Sequence, residues 1–384
     1  MNWIVPSLRR LVFLATLTAI TTCAHEPVTR ARTPVRLPDI PGYHTLKCDF
    51  HIHTVFSDGL VWPTVRSEEA WRQGLDAIAI TDHIEYQPHK ADVSTNHNRS
   101  YEIARGHGND LEILVIPGSE ITRSMPPGHL NAMFLTNATL LATDTWQNAI
   151  QAARNQGAFI FWNHPGWSPQ LTDGKIKWHP EHTQLVEQDL MHGIEIVNGR
   201  DYYPEAHRWA IEQKLTLFSN SDIHQPIGHD YHIHAGDHRP LTLVFARERS
   251  IAAIKEALFD RRTAVYSNDR LLGEARFLRP IFDASVRVLN SGVTIRGRGR
   301  AFAQIHNDSD VNFILERTGE AGELSVPQTV TLPGQKTVLL ELRPNGTPTT
   351  GTRKISLPFR VKNVLTAPEE PLAVALEVEV TFAR

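Results

Sequence analysis

Between about residues 45 and 270 the chain alternates short apolar runs with helix-patterned stretches, and this rhythm restricts the fold more than any other feature. The apolar runs fall at 46–51, 77–81, 113–116, 130–135, 159–162, 194–197, 215–219 and 241–245, each the length of a strand. Between them 67–73, 145–156, 204–214 and 250–261 carry helical patterning. Strands and helices taking turns predict an α/β fold, a parallel barrel, and exclude an all-α one. Beyond about residue 272 the texture becomes alternating, as at 311–315, 337–342 and 372–382, with Gly, Pro and Asn turns between and no comparable helix. That pattern predicts a C-terminal all-β sandwich, immunoglobulin-like without a disulfide. The predicted organisation is a barrel over 45–272 and a sandwich over 273–384, within reach of a 384-residue chain that is 41% hydrophobic. The sandwich segment holds one histidine, His306, and is assigned packing, stability or surface attachment rather than chemistry.

Residues 1–24 read as an export signal: Arg9 and Arg10, an apolar run at 11–20, then small residues. The run is too short to span a bilayer comfortably. Ile20-Thr21-Thr22-Cys23 has the form of a bacterial lipobox, with Thr where Gly or Ala is usual before the cysteine. Simple cleavage near Ala24 and a twin-arginine signal are the alternatives. The expectation is an exported protein, periplasmic or tied to the outer membrane by an N-terminal lipid alone. Residues 25–44, with Pro27, Pro34, Pro38 and Pro41, form a tether. Cys23 and Cys48 are the only cysteines, so no disulfide is expected, and Cys48 is expected to pack as a small apolar residue.

A net charge of −3 offers no footprint for duplex nucleic acid and favours a small substrate. The 20 histidines exceed what core packing requires and direct attention to metal chemistry. His51 and His53, two apart at the end of the first strand, project to one face. Asp58 follows in the turn Ser57-Asp58-Gly59, His83 ends the second strand, Glu120 the third, His129 opens the next, His164 ends the fifth, and Asp222 and His224 repeat the i, i+2 spacing after the seventh. Any one of them alone is more often a hydrogen-bonded structural residue; strand ends are where barrel enzymes place their sites, and six segments delivering such groups to one end is a poor coincidence. One zinc, manganese or iron ion is satisfied by about four to six donors, so nine imply two or three divalent ions sharing a carboxylate, for which Glu120 is the natural bridge. Ions so spaced bind phosphate oxygens and bring a bridging water toward hydroxide near neutral pH, which predicts phosphoester hydrolysis without a side-chain nucleophile.

In this order HIHTVFSDG, TDH, GSE, GHL, NHP and SDIH resemble the motifs of the polymerase and histidinol phosphatase (PHP) superfamily, over roughly residues 45–270. The export signal, the stretch LKCDFHIHTVFSDGLVWPTV and the β-rich tail are similar to secreted bacterial phosphodiesterases acting on organophosphate diesters. The resemblance implies a distorted (β/α)7 barrel. It also implies a first metal on His51, His53, Glu120 and Asp222, a second on Glu120, His129 and His164, and a third on Asp58, His83 and His224. Some members carry His where Asp58 stands; the carboxylate suits manganese or iron as well as zinc.

Around this set, Arg200 is the candidate phosphate clamp, because a guanidinium matches two phosphate oxygens, with Arg99, Arg123 and Lys90 as competitors. His238, beside Arg239, is the candidate general acid. Asp49 and Asp82 adjoin ligands and either orient imidazoles or shape the strand-end turns. Trp62, Tyr86, Trp162 and Trp167 line a leaving-group pocket or pack in the core, and the loop 229–234, with a second HxH, reads as a pocket wall. The expected activity is phosphodiester hydrolysis, with phosphomonoester hydrolysis, amidohydrolase chemistry and a non-catalytic metal-loaded binding module as the competing readings.

Overall fold

Runs of Ile, Val, Phe and Ala bounded by Gly, Asp or Asn have the length and side chains of buried strands, and in the computed structural model they are strands. The structure describes residues 30–384 except 172, 291, 347 and 348, so the predicted export signal and the first part of the predicted tether lie outside the described residues. The first half consists of β1 (His44–Asp49), α1 (Pro63–Arg72), β2 (Ala77–Ile80), α2 (Arg99–Asp110), β3 (Leu114–Ile121), β4 (Leu130–Met133), α3 (Trp146–Asn155), β5 (Phe159–Trp162) and α4 (Pro180–Glu187). Next come β6 (Gly193–Asn198), β7 (Asp201–Tyr202), α5 (Pro204–Glu212), β8 (Thr216–Asn220), α6 (Ile227–Asp230), β9 (Leu241–Ala246), α7 (Ile251–Phe259), β10 (Thr263–Ser267), β11 (Arg270–Gly273) and α8 (Ala275–Ser285). Helix starts obey local chemistry: Pro occupies the first position of α1, α4 and α5, while the Thr145 and Ser250 hydroxyls accept from Asn148 N and Ala253 N to cap α3 and α7.

β1, β2 and β3 pair in parallel, as do β5, β6 and β8. The expected parallel arrangement is broken at β4, antiparallel to both β3 and β5, and at β9, antiparallel to β1. Near the end of β8, β9 sits beside it, and the Thr242 hydroxyl donates to Ser219 O at 2.9 Å and accepts from Ser219 N at 3.0 Å. Beyond the strand ends the chain just past β1 meets the chain just past β8 directly, through a parallel bridge between Ile52 and Ile223. The barrel is thereby closed at its site end. Phe50, Phe159, Phe161 and Phe218 share an apolar cluster with Ala253, Ile254, Ala257 and Leu258 of α7, and the Phe161 and Phe218 rings stack at 4.3 Å. Cys48, a free thiol, is buried in the same cluster.

The C-terminal part comprises β12 (Val286–Val288), β13 (Gly292–Arg296), β14 (Ala301–Asn307), β15 (Phe313–Arg317), β16 (Leu324–Ser325), β17 (Thr329–Leu332), β18 (Lys336–Pro344), β19 (Gly351–Ala367) and β20 (Glu370–Ala383). One sheet is ordered β12-β14-β18-β16; the other, containing β13, β20, β19, β15 and β17, joins the barrel sheet because β19 pairs in parallel with β11 at Leu271↔Val364 and Leu272↔Leu365. The sequence predicted no helix here, and α8 corrects it. Its Phe277, Leu278, Ile281 and Phe282 are buried at helical spacing, with Pro280 accommodated among them. Phe277 stacks on Phe245 of the barrel at 4.6 Å, and Phe282 meets Phe313 of the β domain edge-on at 5.1 Å. No helix among the described residues is long and apolar enough to cross a membrane.

Candidate metal centre

Backbone ladders bring the ligand-type residues to one end of the barrel. Asp222 N donates to His51 O at 2.9 Å and His53 N to Ile223 O at 3.1 Å, so the two i, i+2 pairs run side by side. Glu120 N donates to Asp82 O, and a parallel bridge places His83 beside Glu120. Asn163 N donates to His129 O at 3.0 Å. Because β4 is reversed, its beginning lies at the end of the barrel where β3 and β5 finish, which is why His129 precedes its strand while the other ligands follow or close theirs. The Asp58 turn folds back so tightly that a Cβ on Gly59 would lie 2.7 Å from the His53 carbonyl carbon, which requires glycine there.

All nine side chains converge. His51 Nε2 lies 3.0 Å from Glu120 Oε2 and 3.1 Å from Asp222 Oδ1; His53 Nε2 lies 3.3 and 3.1 Å from the same atoms. The other Glu120 oxygen, Oε1, faces His129 Nδ1 at 2.6 Å and His164 Nε2 at 3.7 Å. Asp58 Oδ1 is approached by His83 Nε2 at 3.4 Å and His224 Nε2 at 3.2 Å. Donor atoms lie within 4.8 Å of one another in four overlapping sets: His51, His53 and Glu120; His51, His164 and Asp222; Glu120, His129 and His164; and His53, Asp58, His83 and His224. The first two, sharing His51, comprise the implied first site plus His164; the third equals the implied second site, and the fourth is the implied third site with His53 added.

These atoms fit cations better than they fit each other. His53 Nε2, Asp58 Oδ1, Glu120 Oε1 and His129 Nδ1 are buried without a hydrogen-bond partner, although His129 Nδ1 and Glu120 Oε1 nearly touch. Lone pairs aimed at one space and left unpaired are costly in a protein interior, and a divalent ion satisfies them. The outer ring nitrogens support this: His51 Nδ1 donates to Glu195 Oε1 at 2.9 Å, and His224 Nδ1 to Asp222 O at 2.8 Å. Each imidazole then turns a free Nε2 inward. Burial alone would raise Glu120, but His83 and His51, with His129 and His164 beside it, hold its carboxyl well below the usual range. Burial alone would lower His83, and Glu120 and Asp58 instead raise it to about 9. A divalent ion bound there would displace the proton that His83 holds.

His164 (φ 28°) and Asp222 (φ 52°) adopt left-handed backbone, a conformation costing a non-glycine residue about 1–2 kcal/mol. The surroundings hold it in place: Glu195 Oε2 accepts from His164 N at 2.6 Å. Buried Arg66 donates to the carbonyls of His53, Ile223, His224 and Gln225, clamping two ligand segments together. Asp82 does not touch an imidazole; it accepts from Thr54 N, Thr54 Oγ1 and Ser57 Oγ, and Ser57 in turn lies 3.3 Å from His53 Nδ1. Asp49 bonds Ser221 and buried Arg239 rather than an imidazole. Glu195, Arg66 and Arg239 hold the site without belonging to a ligand motif; for Glu195 the sequence carries a signal, a lone carboxylate inside the apolar run 194–197. Arg66 reaches carbonyls 157 to 159 residues on, and Arg239 reaches Gln73 and Asp49, 166 and 190 residues back.

Two predicted residues stand elsewhere. Arg200 Nη2 donates to Asp230 O at 2.7 Å and Asp237 Oδ2 at 2.6 Å over the Tyr231 ring, because Gly199 (φ 56°) turns the chain outward into the β6–β7 hairpin. It is not among the residues that line the cleft over the ligands, where a phosphate clamp was expected. His238 stacks on Tyr266 at 4.6 Å with Nδ1 donating to Arg239 O, and it is not among the residues that line the cleft. Arg123 pairs with Glu85 and Arg99 with Glu102. Trp162 is fully buried against His182, and His229 and His232 line neither the cleft nor a ligand cluster.

The cleft over the centre, about 290 Å³, is lined by Asp58, His83, Glu120, His129, His164, Asp222 and His224 together with Thr122, Tyr86 and Trp167. Tyr86 stands edge-on to His83 at 6.2 Å and Trp167 lies 5.3 Å from both His129 and His164; both aromatics are exposed.

Comparison with known proteins agrees with both halves. A family model described as an Ig-like domain matches residues 286–377. The crystal structure of a two-domain protein containing a predicted PHP-like metal-dependent phosphoesterase from Bacteroides vulgatus is 44% identical, with a TM-score of 0.86 over 91% of this chain and 100% of that one. An uncharacterised protein of Methanocaldococcus jannaschii, MJ1295, is 30% identical over 192 residues, 47% of this chain and 83% of its own.

Proposed function

This chain belongs to the PHP-like metal-dependent phosphoesterases, and we propose that it hydrolyses phosphodiesters, with manganese, zinc or iron(II) in two or three sites on the nine converging side chains. Divalent ions held there supply Lewis acidity toward phosphoryl oxygens and activate water near neutral pH. Glu120, Asp222 and Asp58 carry the negative charge that retains them, and the six imidazoles complete the sites. The observation that carries the preference for diesters is the cleft lining: no Arg or Lys among the described residues lines it. A monoester brings an additional negative charge that asks for a cationic side chain beyond the ions, whereas a diester monoanion does not. Exposed Tyr86 and Trp167 offer ring faces to the two ester substituents. The reading also takes the chain to be exported, on the pattern of residues 1–24.

The test compares bis(p-nitrophenyl) phosphate with p-nitrophenyl phosphate on protein reloaded with manganese or zinc. The expected result is a larger kcat/KM on the diester, abolished by chelation. A larger value on the monoester would reverse the assignment, and no turnover of either by metal-loaded protein would favour a binding module.

A further inference from the structure

We propose that Glu195 is the positioning residue of the metal centre, acting with Asn198 to fix ligands delivered by three separate segments. Both Glu195 oxygens are buried and fully occupied, and every neighbour they meet is a donor. Oε1 accepts from His51 Nδ1 and from Asn220 Nδ2, each at 2.9 Å. Oε2 accepts from His164 N at 2.6 Å and from Asn198 Nδ2 at 2.9 Å. Asn198 Nδ2 also reaches Asp222 Oδ2 at 3.3 Å, leaving Asp222 Oδ1 facing His51 and His53. One carboxylate in β6 thus sets the ring orientation of His51, holds the left-handed turn at His164 and, through Asn198, orients Asp222. Asn220 joins the same frame to the chain beside His51, since its Oδ1 accepts from Phe50 N at 2.9 Å. Glu195 is not itself among the residues that line the cleft, so its effect on the ions is transmitted by the ligands.

The donor pattern makes a sharp distinction between shape and chemistry. A glutamine has the same shape but only one acceptor oxygen. In either amide orientation its NH2 group would face two donors, His51 and Asn220 or His164 and Asn198. Aspartate keeps two acceptor oxygens on a shorter stem.

The inference rests on the metal-centre reading and is independent of substrate preference. Its test is equilibrium dialysis of the metal-free full chain against manganese and against zinc, with elemental analysis of bound ions, for wild type, Glu195→Gln, Glu195→Asp and Asn198→Ala, all below their melting temperatures. Glu195→Gln should bind ions about 10–100-fold more weakly than wild type, the usual effect of losing a group that orients a ligand. Glu195→Asp should recover part of that loss, and Asn198→Ala should weaken binding while retaining the fold, since Asn198 is only half-buried. Wild-type affinity in Glu195→Gln, or tighter binding by Glu195→Gln than by Glu195→Asp, would overturn the proposal. Should the Glu195 variants fail to fold, wild-type affinity in Asn198→Ala would overturn it alone. Failure of the wild type itself to bind ions would instead reject the metal-centre reading.

Discussion

Glu120 divides its two oxygens between different ligand groups, Oε2 toward His51 and His53 and Oε1 toward His129 and His164. Removing its charge is therefore expected to disturb both ligand groups at once. Glu120→Gln is expected to lower kcat/KM on the order of 100-fold or more, whereas Arg200→Ala should leave it unchanged, because that guanidinium is engaged with Asp237 and Asp230 on the outer surface. Steady-state kinetics on both variants check this, and equal losses would contradict the assignment. The contrast also marks what single residues disclose in a sequence. His51 and His53, or Asp222 and His224, announce themselves by i, i+2 spacing at a strand end, where direction follows from the pleat. Arg200 carries no such constraint: a glycine with positive φ just before it decides where it goes, and its partners are 30 and 37 residues away.

At the scale of elements, the supports behind the ligands carry their own titration. His182 of α4 lies buried under Trp162, ring centroids 3.8 Å apart; its Nδ1 accepts from His179 N and its Nε2 donates to Pro127 O in the segment leading to His129. Protonation would place a hydrogen on Nδ1 against that backbone N–H. Burial lowers its pKa from 6.5 to about 4, and burial lowers His207 of α5 to about 4 as well. The unfolded chain takes up these protons near pH 6.5 while the folded chain resists until about pH 4, so the stability they represent is complete above 6.5 and drains as pH falls through that window. Denaturant melts should show stability rising from pH 4 to 6.5, by on the order of 1.4 kcal/mol per pH unit for each group, and His182→Gln should flatten part of the slope; an unchanged slope would contradict the role of His182. The alternation of apolar runs and helices made most barrel strands legible beforehand, but not the direction of β4 or β9, because a buried four-residue run reads the same either way. That direction is set by pairing with neighbours, and it governs why His129 sits before its strand.

Across the whole molecule, the barrel and the β domain share a sheet through β11 and β19 and a core through α8, with Phe245 and Phe277 packed on one side and Phe282 and Phe313 on the other. The change of texture near residue 272 marks the second domain in the sequence, whereas Pro280 interrupts the helical pattern at the junction; burial of Phe277, Leu278, Ile281 and Phe282 outweighs the penalty of the proline. What this architecture achieves is a rigid frame in which residues from His51 to His224 point at one small volume. The most direct measurement is the ion content of the full chain by elemental analysis, after chelation, reloading with manganese or zinc and removal of excess. The account predicts more than one divalent ion retained per chain. A content of one ion or none would contradict it.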